Sequence, residues 1–170
     1  MATDIYNVLF LCTGNSARSI MAEGLLTRWG QGRFRAFSAG SFPSGRVNPR
    51  ALELVNRLGV ALDTPRSKSW DEFAMPGAPH MDFIFTVCDD AAGETCPVWP
   101  GHPMTAHWGI PDPAAVQGTD AEKDKAFWLA FQRLEARIQL FVNLPISALD
   151  RMALKGQLQQ IGSSTEPRQT

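Results

Sequence analysis

Residues 9–24 read "LFLCTGNSARSIMAEG". An apolar run, Val8 to Leu11, leads straight into Cys12. A short loop of small polar residues follows, then Arg18 six positions after the cysteine, then a helical pattern. A nearly continuous apolar strand is one buried on both faces, as in a parallel sheet covered by helices. Such sheets collect ligands beyond the carboxyl ends of their strands, where "CTGNSAR" lies. A helix start presents unpaired N–H groups and roughly half a positive charge. Gly14, Ser16 and Ala17 are small enough for successive amides to turn toward one centre, and Arg18 adds a planar fork suited to an oxyanion. The stretch therefore reads as an anion cradle with a sulfur at its floor. The same field favours the thiolate: free cysteine titrates near ~8.5, and helix-start cysteines fall to ~3.5–7.5. Ser19 is placed to donate a further hydrogen bond to the sulfur.

Working outward, "YNVLFLC" (6–12) is the first strand, and "SIMAEGLLTRW" (19–29) is a helix with Ile20, Met21, Leu25 and Trp29 on one face. "GRFRAFSAG" (32–40) suggests a second, shorter strand, with Phe34, Ala36 and Ser38 alternating against Arg33, Arg35 and Phe37. "NPRALELVNRLG" (48–59) has helix start and stop signals. "TPRSKSWDEF" is a loop leading into a helical turn, "MDFIFTVC" (81–88) a buried strand, and "MTAHWG" (104–109) a fourth strand. The longest helix is expected over 120–144, capped by Asp120, with Phe127, Leu134, Ile138 and Phe141 inward. Another is expected at about 147–161, before a polar tail. Strands alternating with helices imply one α/β domain, residues 1–162, with 163–170 disordered.

The totals exclude several classes. In 170 residues, 16 basic and 17 acidic side chains nearly cancel, which gives no global pull toward nucleic acid or an anionic membrane. No segment is long and apolar enough to read as a membrane span, so a cytoplasmic protein is expected. Stable structural disulfides are uncommon there, and the three cysteines are core thiols, ligands or redox groups instead.

"VLFLCTGNSARS", with "DPA" at 112–114, resembles the low-molecular-weight protein tyrosine phosphatases. The resemblance implies a flavodoxin-like four-stranded parallel sheet flanked by helices. It implies Cys12 as nucleophile, Arg18 as oxyanion clamp and Asp112 as general acid, with Thr13, Gly14, Asn15, Ser16, Ala17 and Arg18 binding the oxyanion. Cys88 and Cys96 in "TVCDDAAGETCPVWPG", with "HWGIPDPA", are similar to features of the thioredoxin-coupled arsenate reductases of that fold. That likeness implies three attacks: Cys12 on arsenate, Cys88 on Cys12, and Cys96 on Cys88. Arsenic(V) accepts the electron pair of its bond to sulfur, whereas phosphorus(V) can only be hydrolysed away. The partners implied are arsenate, phosphate or sulfate as competing oxyanions, and a thioredoxin- or glutaredoxin-type reductant.

A helical 88–96 would hold the two cysteine Cα atoms ~12 Å apart, against the ~4.4–6.8 Å of a disulfide. Oxidation must therefore unwind or loop out "DDAAGET". Some relatives bind potassium behind the loop. The resemblance matches Asn15, Glu23 and Ser38 to three of its ligands and Lys68 to the fourth, where an ammonium takes the cation's place. No cofactor is expected. Readings left open are a tyrosine phosphatase with two incidental cysteines and a non-catalytic oxyanion or redox sensor. A zinc site with His107 is a further one, with poor ligand spacing. The phosphatase reading is weakened by Ala114, which offers no aromatic ring behind Asp-Pro.

Overall fold

The computed structural model describes residues 5–60, 66–87 and 103–163. The first strand, β1 (Tyr6–Cys12), has its last five residues buried, as its unbroken apolar run requires. It feeds α1 (Arg18–Trp29), β2 (Phe34–Gly40), α2 (Pro49–Arg57) and a four-residue turn of helix, α3 (Asp71–Ala74). The chain continues through β3 (Phe83–Thr86), β4 (Met104–His107), a long helix α4 (Asp120–Val142) and a last helix α5 (Arg151–Ser163). The sheet order is β2-β1-β3-β4 with every pair parallel. This is the four-stranded, helix-flanked α/β sheet expected.

Alternation along the strands feeds two apolar layers. Val8, Phe10 and Cys12 join the larger core with Ile20, Leu25, Leu134, Phe141 and Leu158. Leu9 and Leu11 point the other way, with Ile84, Trp70 and Phe73. Trp108 stacks on Phe85 with ring centroids 3.9 Å apart and lies edge-on to Phe141. Such pairs are each worth about 0.5–1.5 kcal/mol beyond burial, so this cluster fixes where β4 ends.

Several expectations are corrected. Trp29 is 41% exposed rather than on the buried face, its indole N–H reaching Glu135. The second strand is as long as the first, seven residues each, and Phe37 packs into the smaller core. The cap of α4 is Thr119, which forms a reciprocal capping box with Glu122, because a hydroxyl at that position reaches the N3 amide; Asp120 is already inside the helix. The last helix begins at Arg151, since Pro145 and Leu149 flank a separate 3-10 turn, Ile146–Ala148. It reaches Ser163, one residue past the expected domain end. Residues 164–170, Cys88, Cys96 and the expected redox-sensitive segment lie outside the described residues.

Candidate active site

The carboxyl ends of β1 and β2 create the site. Register pairs Cys12 with Gly40. A β-carbon on Gly40 would lie 2.9 Å from the Cys12 carbonyl oxygen and 3.0 Å from the Asn15 nitrogen, and closer still to the Thr13 carbonyl oxygen. Only glycine permits this approach of loop to strand.

The loop's polarity is set from outside. The carbonyls of Thr13, Gly14 and Ser16 accept hydrogen bonds from the backbone N–H groups of Phe42 (2.9 Å), Ser44 (3.0 Å) and Asn48 (2.8 Å). Ser67 Oγ also donates to Gly14 O, at 2.9 Å. In a planar trans peptide the next N–H is antiparallel to the carbonyl, so the amides of Gly14, Asn15 and Ala17 are aimed inward. The Asn15 N–H accordingly meets Cys12 Sγ at 3.3 Å. Cys12 itself is buried.

The turn comes from Asn15 rather than Gly14. Asn15 is the non-glycine residue in the left-handed region among those described, with φ 45°, and it is fully buried. Asparagine tolerates this region better than most side chains, and here both ends of its amide are held. Lys68 N–H donates to Oδ1 at 2.8 Å, which leaves Nδ2 to donate to Ser19 Oγ at 2.8 Å. With its oxygen accepting from Asn15, Ser19 is free to donate its hydroxyl hydrogen to Cys12 Sγ, 3.0 Å away. The buried sulfur thus faces an amide, a hydroxyl and the start of α1, all of which favour its charged form.

Arg18 opens α1 with its side chain 15% exposed. Its Nη1 donates to Ile110 O at 3.0 Å, and its Nη2 lies 3.7 Å from Asp112 Oδ2. Asp112 accepts from the Ala114 N–H at 2.9 Å, which fixes the Asp-Pro turn beside the loop. The structure therefore brings Cys12, Ser19, Arg18 and Asp112 into one constellation. His107, at the end of β4, shares a 2.7 Å hydrogen bond with Thr86 Oγ1, and no group of three metal-binding side chains occurs among the described residues.

Behind the loop, Ser38 Oγ donates to Glu23 Oε1 at 2.5 Å, and Lys68 Nζ donates to Ser38 Oγ at 3.3 Å and Arg66 O at 3.0 Å. The ammonium is 3.9 Å from Glu23 Oε1. Burial pushes the Glu23 carboxyl above its ordinary value, with Lys68 the main opposing influence. Burial also pushes the Lys68 ammonium below its ordinary value, opposed first by Glu23. Asn15, Glu23, Ser38 and Lys68 do form one connected group, and its cation is a lysine.

The family model for low molecular weight phosphotyrosine protein phosphatase matches residues 7–154. The chain belongs to that family. An arsenate reductase of Shouchella clausii is 38% identical over 138 residues, covering 79% of this chain and 93% of that relative. A crystal structure of an arsenate reductase from Archaeoglobus fulgidus superposes with TM-score 0.62 at 27% identity, covering 81% of this chain and 99% of the other. A thioredoxin-dependent arsenate reductase of Corynebacterium glutamicum gives TM-score 0.54 at 25% identity, covering 83% of this chain and 65% of that one.

Three contributors carry no clear local mark in the sequence. Gly40 reads as a strand end, and Ser67 as a polar loop residue. The third is Arg137, marked only by its place at the buried spacing between Leu134 and Phe141.

Proposed function

We propose that this chain is an arsenate reductase, folded as one domain whose last helix runs to Ser163, that works by a three-thiol relay. What carries the reading is the Cys12 sulfur facing inward-aimed amides, with Arg18 and Asp112 joined beside it. Relatives named arsenate reductase over most of the chain point the same way.

Arsenate sits in the cradle of residues 13–18, its oxygens against the inward amides and the Arg18 fork. The Cys12 thiolate forms a bond to arsenic(V), and one oxygen leaves as water after Asp112, in its acid form, hands it a proton. A Cys88 thiolate then attacks the Cys12 sulfur. The S–As bond breaks, its electron pair passes to arsenic, and arsenite departs as arsenic(III). Cys12 and Cys88 are left as a disulfide. Cys96 attacks Cys88, forming Cys88–Cys96 and releasing Cys12 as thiolate. An external dithiol reduces that bond and restores the starting state. A thioredoxin-type donor fits best, because the relay delivers oxidation as a protein disulfide open to exchange; glutaredoxin is the alternative. Phosphate and sulfate compete for the cradle without being reduced. No helix among the described residues is long and apolar enough to cross a membrane, in keeping with a cytoplasmic detoxification enzyme.

The test separates reductase from phosphatase. Cys88→Ser abolishes arsenate turnover with thioredoxin while sparing hydrolysis of a small aryl phosphate. Equal turnover by wild type and variant refutes the relay. Full activity of Cys96→Ser with thioredoxin refutes its last step.

A further inference from the structure

A buried arginine that the reaction above does not use grips the segment bearing Asp112. Arg137 lies on the inward face of α4, only 4% exposed, near Leu134, Ile138 and Phe141. Burying a guanidinium is costly unless its donors are met. Here Nη1 donates to the Trp108 carbonyl and, at 3.2 Å, to the Gly109 carbonyl. The next carbonyl, that of Ile110, accepts from Arg18 Nη1 at 3.0 Å. Two arginines from different helices thus hold three successive carbonyls of one strand exit. Asp112 follows two residues later, within 3.7 Å of Arg18 Nη2.

The last helix holds the same segment from another side. The Trp108 indole N–H donates to Leu158 O at 3.0 Å. Gly162 lets the α5 backbone lie against the His107 carbonyl and the Trp108 ring. Leu158 and Gly162 both fall beyond residue 154, where the family match ends.

We infer that Arg137, supported by α5, is a positioning residue for arsenate reduction. It fixes Trp108–Asp112 so that Asp112 and Arg18 keep their mutual geometry over Cys12. This rests on the roles proposed above for Arg18 and Asp112. Arg137 contacts the segment and leaves the oxyanion to the cradle, so its loss impairs proton delivery more than oxyanion binding.

The experiment compares Arg137→Gln and Arg137→Lys in the wild-type and Asp112→Asn backgrounds. Proton transfer by a placed acid supplies ~10²–10⁴-fold, so a mis-aimed Asp112 loses about 10- to 100-fold in kcat for arsenate. The dissociation constant of inorganic phosphate changes by less than about threefold, since the cradle's own bonds are untouched. In the Asp112→Asn background the Arg137→Gln loss shrinks to less than about threefold, because the two residues act on one step. Arg137→Lys, which keeps a donor and a charge, recovers part of the loss. Equal losses in both backgrounds, or phosphate binding that falls in step with turnover, overturn the inference.

Amide hydrogen exchange on the same proteins gives an arm independent of activity. The Ile110 and Ala114 amides, bonded to Val87 O and Asp112 Oδ1, exchange faster in Arg137→Gln while Leu9 in β1 is unchanged. Unaltered exchange at both also overturns the inference. A wild type that turns over no arsenate refutes the proposed function, and the exchange arm still decides whether Arg137 holds the segment.

Discussion

Replacing Lys68 by methionine removes a charge from a nearly closed site while keeping its volume. The ammonium is 3.9 Å from Glu23 Oε1, and the two side chains are 11% and 16% exposed. At an effective dielectric of about 20, charges at that separation attract by about 4 kcal/mol. Cutting one partner from a buried pair typically costs ~3–5 kcal/mol, because the remaining charge is stranded. Glu23 softens the loss by taking up a proton, since burial already raises its carboxyl. The expected cost at pH 7 is therefore about 3 kcal/mol, a fall in Tm of about 6–12 °C for a chain of this size.

The pH dependence has a definite sign. Between the unfolded value and the raised folded value, the folded carboxyl binds more protons than the unfolded one, so stability falls as pH rises through that window. The Lys68→Met penalty must accordingly shrink on going from pH 7 toward 5. Potassium supplies the other arm. In the wild type the ammonium occupies the place beside Ser38 and Glu23, so exchanging sodium for potassium changes neither Tm nor arsenate turnover. Thermal unfolding in matched sodium and potassium buffers at two pH values reads all of this. A wild type stabilised or activated by potassium, or a variant as stable as wild type at pH 7, refutes the reasoning.

Two further substitutions probe the loop. Ser19→Ala removes the hydroxyl donated to Cys12 Sγ. A hydrogen bond to a charged group stabilises it, so losing this one disfavours the Cys12 thiolate, and the pH profile of its alkylation rate moves to higher pH. An unchanged profile means the serine does not serve the thiolate. Gly40→Ala pushes a β-carbon against the Cys12 and Thr13 carbonyls and displaces the cradle. Stability drops by about 1–3 kcal/mol from overpacking, and arsenate turnover falls by about 100-fold because a misplacement near 1 Å suffices. Wild-type turnover in this variant would show that the close approach is not needed.

The parts of the fold legible in the sequence were those with a local cause. The unbroken apolar run of β1, the Asn48-Pro49 start of α2 and the small-residue loop each announce themselves within a few residues, and the structure places them as expected. Cys12, Arg18 and Ser19 are brought together for the same reason, being one loop and one helix turn. What stayed hidden depends on chain segments far apart. Gly40 matters because β2 lies beside β1, Ser67 because a later loop passes over Gly14, and Arg137 because α4 crosses the exit of β4. Trp29 is exposed although it shares a face with Ile20 and Leu25, because helical spacing gives a face but not where that face meets solvent. Asn15, rather than the smaller residues of the loop, takes the positive φ, since composition cannot say which residue of a short loop does so.

The central claim is that one thiolate takes up arsenic and two further thiols carry its oxidation away. The most direct measurement mixes fully reduced protein with arsenate in the absence of reductant, quenches after one turnover, and maps the disulfides by mass spectrometry. The account predicts one arsenite released per chain, a Cys88–Cys96 disulfide, and Cys12 recovered as a free thiol. All three thiols still reduced with no arsenite formed, or a stable product that leaves Cys96 free, would contradict it.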